Sequence, residues 1–168
     1  QEWEDCGQPG EMPRITSLAS YRGQLYALGP DDGAPYRSRA YVYEGNQNWV
    51  ACGEFTNRGF PMAVHDGRLF MAHKGEPAID DGTGGARVHA FDGTQWEDLG
   101  NPLGTHARCN EIHSLGVFGG AIHIGTNPLG RVVKLEDGKW RDTGELGDSR
   151  EVTALASYNG CFYAGTLL

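Results

Sequence analysis

Four arginines recur at comparable points of the 168-residue chain: Arg14, Arg58, Arg108 and Arg150. Glu111 and Glu151 stand close to the last two, and His106 precedes Arg108 by two residues. A guanidinium group grips a carboxylate or sulfate through two parallel N–H bonds, which makes these positions candidate ligand contacts. The same seven residues also read as a polar belt, in which arginines solvate loop backbones and pair with neighbouring acids. Glu111 or Glu151, with His106 assisting, has the residue types of acid–base chemistry at a glycosidic bond. Asp31-Asp32-Gly33 and Asp80-Asp81-Gly82 are paired carboxylates in glycine-rich stretches. Calcium needs six to eight oxygens, so two carboxylates per loop read better as solvated turns. The six histidines show neither i, i+2 spacing nor H-E-x-x-H, and no metal or other cofactor is expected. No G-x-S-x-G elbow, P-loop or dinucleotide-binding glycine fingerprint occurs.

The elements that must position these residues repeat along the chain. Trp3, Trp49, Trp96 and Trp140 are all the tryptophans, and each is followed four residues later by glycine: Gly7, Gly53, Gly100 and Gly144. Acidic-Gly pairs precede three of them, at Glu44-Gly45, Asp92-Gly93 and Asp137-Gly138. A second set of pairs, Arg22-Gly23, Asp66-Gly67, Gly119-Gly120 and Asn159-Gly160, separates short apolar runs. Asp-Gly and Asn-Gly between alternating segments mark hairpins, because a type I′ turn needs positive φ at both central residues. Alternation such as Arg87-Val88-His89-Ala90-Phe91 has the period of two of a half-buried strand.

Each unit therefore reads as four strands. The first is 15–21, 60–65, 111–118 or 152–158; the second is 25–29, 69–73, 122–126 or 162–166. The third is 40–43, 87–91 or 131–135, and the fourth carries the tryptophan. Serial four-stranded units of about 42–50 residues predict an all-β fold, a β-propeller. The expected plan is one domain over 1–168, with complete blades at 15–53, 60–100 and 111–144. An incomplete closing blade takes its inner strands from 152–168 and its outer strand from 1–7. The third strand of that blade has no counterpart in the sequence. This allows a four-bladed ring with a defective blade, a ring shared by several chains, or a piece of a longer propeller. The last two are the favoured expectations, and the start at Gln1 rather than methionine accords with a processed chain or a piece.

The best-formed unit, Val88-His89-Ala90-Phe91-Asp92-Gly93-Thr94-Gln95-Trp96-Glu97-Asp98-Leu99, resembles the kelch-like propeller repeats, a group that includes the central domain of galactose oxidase-type proteins. Ser114 to Thr126 is similar to the continuation of that pattern, with Gly125-Thr126 where a kelch unit has a Gly-Gly doublet. The resemblance implies the architecture; propellers host unrelated activities.

Composition narrows the function. Glycine supplies 26 residues, which suits a turn-rich β protein, and the net charge of −8 argues against a general nucleic-acid binder. No apolar run approaches the roughly 20 residues that cross a bilayer, and no membrane partner is expected. Cys6 and Cys52 share one slot of the repeat, W-x-x-C-G, which Leu99 and Thr143 fill elsewhere. A slot that accepts Cys, Leu or Thr reads as packing, so free thiols are expected, and the compartment stays open with a slight lean to the extracellular side. The tryptophans read as inter-blade packing groups rather than sugar platforms. The leading expectation is a non-catalytic binding or scaffold module that holds a glycan or protein on the loop face around the central channel. The alternatives are a glycan-active hydrolase or lyase and a structural repeat that assembles into a larger homo-oligomeric ring.

Overall fold

The computed structural model describes residues 2–31, 34–75, 85–104 and 109–168, with residues 34–36 described by their backbone. Blade 1 consists of β1 (Ser17–Tyr21), β2 (Gln24–Asp31), β3 (Ala34–Gly45) and β4 (Asn48–Phe55). Blade 2 is β5 (Gly59–His65), β6 (Arg68–His73), β7 (Arg87–Phe91) and β8 (Trp96–Asp98). Blade 3 is β9 (Glu111–Phe118), β10 (Ala121–Asn127), β11 (Arg131–Glu136) and β12 (Lys139–Glu145). The last unit has two strands, β13 (Glu151–Tyr158) and β14 (Cys161–Leu167). Each complete blade is an antiparallel meander in sequence order, so the fold is three full blades plus a partial one.

The expected hairpin chemistry holds where β1 meets β2, β5 meets β6, β9 meets β10 and β13 meets β14. Asp66 and Gly67, for example, have φ of 45° and 66°, and Asn159 and Gly160 have 48° and 74°. Two outer turns differ from the expectation. In blade 1 the positive-φ pair is Asn46 and Gln47, immediately after the Glu44-Gly45 pair. In blade 2 the turn lengthens to Asp92–Gln95, because Asp92 Oδ1 accepts hydrogen bonds from Thr94 N–H, Thr94 Oγ1–H and Gln95 N–H at 2.7 to 2.9 Å. These bonds hold the exposed Asp92 carboxyl down at about 2.

Packing runs between blades. Phe70, Ala72, Val88 and Ala90 of blade 2 meet Ile112, Ile122, Ile124 and Val133 of blade 3 in one buried cluster. Tyr21, Tyr26 and Leu28 of blade 1 close on Leu69, Met71 and Phe91 of blade 2. Three of the four tryptophans then tie their own outer strands to the segment that precedes them. The indole N–H of Trp96 donates to the Cys52 carbonyl at 2.9 Å, that of Trp140 to the Leu99 carbonyl at 2.9 Å, and that of Trp49 to the Cys6 carbonyl at 2.8 Å. The slot therefore contributes a backbone acceptor at Cys6, Cys52 and Leu99, which explains its tolerance of Cys and Leu. The thiols are free: Cys109 is buried, Cys6 and Cys52 are half-buried, and Cys161 is exposed. Burial pushes the Cys52 thiol up to about 11 and the Cys109 thiol up to about 12.

The glycine four residues after each tryptophan has two different causes. Asp98 and Asp142 accept from the N–H of Gly100 and Gly144, whose φ values of 78° and 112° suit glycine. In blade 1 Ala51 takes the place of the aspartate, and a Cβ at Gly53 would lie 2.6 Å from the Trp96 indole nitrogen. There the glycine makes room for the neighbouring blade.

The inner strands follow one another around an axis: β5 packs on β1, β9 on β5 and β13 on β9. No comparable packing joins β13 to β1, so the described residues form an open arc. Residues 2–7, expected as the outer strand of the closing blade, form no ladder with β13 or β14. They lie beside blade 1, where Cys6 plays the acceptor role that Cys52 plays for blade 2.

Replacing Trp96 with phenylalanine keeps much of the packing and removes the bond to Cys52. It should lower unfolding stability by about 1 kcal/mol, and Trp96→Ala by about 3–5 kcal/mol, both read from urea titrations.

Candidate functional site

One register position at the lead-in to each inner strand carries a charged residue in every unit of the repeat. Counted back nine residues from the second glycine of each hairpin, the same register position holds Arg14, Arg58, Glu111 and Glu151. Backbone pairing supports this alignment: Glu111 pairs with Asn127, Glu151 with Leu167, and the Arg58 carbonyl accepts the Lys74 N–H. This position is thus basic on blades 1 and 2 and acidic on blade 3 and the partial blade. Arg150 stands one residue earlier than this register, exposed, with its carbonyl taken by the Gly130 N–H. His106 and Arg108 lie outside the described residues, as do the Asp32-Gly33 and Asp80-Asp81-Gly82 stretches.

On the acidic side the structure assembles a cluster. Inner strands β9 and β13 each carry a one-residue bulge near their start, between the pairs Ile112–Thr126 and Ser114–Gly125 in β9 and between Val152–Thr166 and Ala154–Gly165 in β13. The extra residues are His113 and Thr153. A bulge re-aims its side chain out of the regular alternation. His113 is thereby placed between the two carboxylates: Nε2 contacts Glu111 Oε2 at 2.5 Å, and Nδ1 contacts Glu151 Oε1. One ring thus bridges the two acids through its opposite nitrogens. Lys74 Nζ pairs with the other oxygen of Glu111, and Phe60 lies 5.0 Å from the His113 ring. Burial pushes the Glu111 carboxyl up, but Lys74 and His113 outweigh it and leave it below its ordinary value.

Sequence reasoning placed Glu111 and Glu151 here but did not include His113 or Lys74 among the site residues. The usable signal for His113 was its count of seven from the hairpin glycine, the position held by Thr153, Phe60 and Thr16 elsewhere. Lys74 had no signal of its own. Arg14 and Arg58 make no ion pair with other described residues.

A second polar feature sits in the seam between blades 1 and 2. A pocket of about 400 Å³ is lined by Phe55, His73, Arg87, His89 and Asp98, among others. The Nδ1–H of His73 donates to the Lys74 carbonyl at 2.7 Å, which leaves Nε2 free to accept from His89 Nε2–H at 3.1 Å. Burial lowers both rings, and His89, beside His73, is pushed down to about 4. Both imidazoles are accordingly neutral at pH 7. Burial also pushes the Asp98 carboxyl up, yet the Arg87 guanidinium and the Gly100 N–H hold it below its ordinary value. No group of three metal-ligating side chains comes together among the described residues.

No protein-family model matches the chain, and no curated protein matches it. Among solved structures the chain is similar to the computationally designed Ika4 protein, with a TM-score of 0.62 at 14% identity over 98% of this chain and 93% of that one. It is also similar to the native arabinanase Arb43A of Bacillus subtilis, with a TM-score of 0.60 at 14% identity over 95% of this chain and 67% of that one. Identity this low shows the fold alone, and with the serial four-stranded blades it defines the class. The chain is an all-β protein of the β-propeller class.

The His73–His89 pair sets a pH dependence. An unfolded histidine takes up its proton near 6.5, whereas folded His89 takes it up near 4. The unfolded state binds more protons in that window, so stability falls as the pH drops from about 6.5 to about 4. Thermal midpoints across this range should decline more steeply for the native chain than for His89→Gln, and parallel curves would refute this origin.

Proposed function

We propose that the chain is a non-catalytic, kelch-like propeller module that binds a carboxylate- or sulfate-bearing glycan on its loop face. An acidic protein segment is the other ligand with the same chemistry. The observation that carries this reading is the division of charge at the channel mouth. Glu111 and Glu151 are both engaged by His113, and Glu111 also by Lys74, whereas Arg14 and Arg58 are free of ion pairs with described residues at the same register. An incoming anion meets two guanidinium groups, while the acids of the other two units are already engaged. His106, Arg108 and Arg150 belong to the same face in this proposal and extend the cationic contact. Loops on a rigid propeller scaffold are the usual place for such recognition.

A second reading rests on the carboxylates themselves. Glu111 and Glu151 approach opposite nitrogens of one imidazole ring, and two carboxylates facing each other across a cleft are the groups of glycosidic hydrolysis. The similarity to an arabinanase makes a glycan-active enzyme the matching alternative. Salt bridging disfavours it, since a general acid needs a carboxyl pushed up toward neutrality, and Glu111 is pushed the other way.

Calorimetric titration with uronic-acid and sulfated oligosaccharides checks the proposal. Arg14→Ala and Arg58→Ala should each weaken binding about tenfold, or about 1.4 kcal/mol, with little effect from Lys139→Ala on the far turn. Incubation with arabinan and other polysaccharides should release no product. Turnover that disappears in Glu111→Gln would establish the enzyme instead.

A further inference from the structure

The two ends of the arc carry the two halves of the interface that the interior uses at every seam. Positions three residues after the hairpin glycines face the following blade: Tyr26 meets Phe91 at 6.1 Å, and Phe70 belongs to the cluster shared with blade 3. These positions, Tyr26, Phe70 and His123, are 5%, 3% and 8% exposed, whereas their equivalent in the partial blade, Tyr163, is 54% exposed. Positions five residues before the glycines face the preceding blade. Met62 and Leu115 pack there, and a Cβ at Gly116 of blade 3 would touch Leu155. Their equivalent in blade 1, Leu18, is 55% exposed.

The tryptophan bond is split in the same way. Trp3 is fully exposed, although residues 5–7 keep the local form of a finished outer strand, with Gly7 N–H donating to Asp5 Oδ1 at 2.9 Å as Gly100 and Gly144 do to their aspartates. The acceptors that do receive an indole include Cys52, which sits at a bulge of its outer strand and so is released from the ladder. Thr143 sits at the corresponding bulge of blade 3, and its carbonyl receives no indole from the described residues.

We infer that a second copy of this chain docks head to tail, its blade 1 covering β13 and β14 of the first. The partner copy's leading segment occupies the outer position of the first copy's partial blade, bringing its exposed indole to the Thr143 carbonyl. Leu18 on the leading end and Tyr163 on the trailing end bury against the other copy as Met62 and Tyr26 do within the chain. The interface is heterologous, and two such joints related by a two-fold axis close a ring of eight blades, within the size range of propellers. The inference is independent of the ligand reading above, since it uses the blade faces and not the channel mouth.

Light scattering on the full 168-residue chain over a wide concentration range tests it. The expected result is one species at twice the 18.2 kDa of a single chain. Leu18→Glu and Tyr163→Glu, both at exposed positions, should each give single chains with unchanged far-ultraviolet dichroism. An equimolar mixture of the two should recover pairs, because one variant retains a sound tail and the other a sound head. Trp3→Ala should shift the native chain toward single chains. A native chain that stays single overturns the proposal. A mass that climbs steadily with concentration overturns the closed ring. Pairs that persist in Leu18→Glu and vanish in Tyr163→Glu show a tail-to-tail contact and overturn the head-to-tail one.

Discussion

An indole N–H that crosses each seam between complete blades to a backbone carbonyl is the constraint around which the blades are arranged. A carbonyl inside a ladder is already bonded, so the acceptor must come from a residue that has left it. The bulges at Cys52 and at Thr143 in the outer strands supply such residues. The bond fixes how far one blade is displaced along its neighbour. That displacement brings Tyr26 edge-on to Phe91 and sets Phe55 perpendicular to Trp96 at 5.1 Å. A single hydrogen bond of this kind contributes only about 1 kcal/mol net. Its larger effect is on register, since a slip would leave both the indole and the carbonyl unpaired in a half-buried seam.

The inner strands use the same device for a different end. Their bulges lie at the channel mouth, where an additional residue turns His113 toward Glu111 and Glu151. The repeat keeps its backbone and changes its charge: one register position holds Arg14, Arg58, Glu111 and Glu151 in turn. The sign of the charge changes once along the arc, between blades 2 and 3, which four arginines would not give. Glu111 has its counter-charge in Lys74, and His113 contacts both acids. Glu111 and Glu151 can therefore lie half-buried without a strong desolvation penalty.

Much of the architecture was legible because hairpin turns and half-buried strands are local. Asp66-Gly67 and Asn159-Gly160 announce type I′ geometry through their own backbone preferences, and the strands they join begin and end within a residue or two of the expected limits. Strands that extend past their apolar run were harder to bound. The third strand of blade 1 begins at Ala34 rather than Ala40, because its first residues pair with β2 without an alternating pattern. The turn at Asn46-Gln47 was displaced from Glu44-Gly45 for a similar reason: Asn also tolerates positive φ, and the ladder runs on to Gly45. The site was only half legible. Glu111 and Glu151 could be read from their place beside the inner strands, whereas His113 depends on a bulge and Lys74 on a contact across a blade seam. His113 is marked only by its distance from the hairpin glycine, and Lys74 leaves no mark in local spacing. The meaning of the Cys6, Cys52, Leu99 and Thr143 slot was likewise hidden, because its contribution is a carbonyl that every residue possesses.

A repeat that buries its surface only against its neighbours has stability that is nearly a sum of seam contributions. The interior seams of this arc are complete, with Leu69, Met71, Val88, Ile112, Ile122 and Ile124 at 1% exposure or less. The partial blade has one seam, between β13 and blade 3, where Phe162 stacks on Phe118 at 5.2 Å and Ser114 Oγ–H donates to the Val152 carbonyl at 2.8 Å. Its other face, including Tyr158, Tyr163 and Leu167, is left to solvent in a single copy. The same positional rules that stabilise the middle of the arc thus make its ends the regions of lowest local stability. Those rules also fix what can complete them. A surface shaped by one end of this repeat is matched by the opposite end of the same repeat, because each interior seam is already a copy of that match.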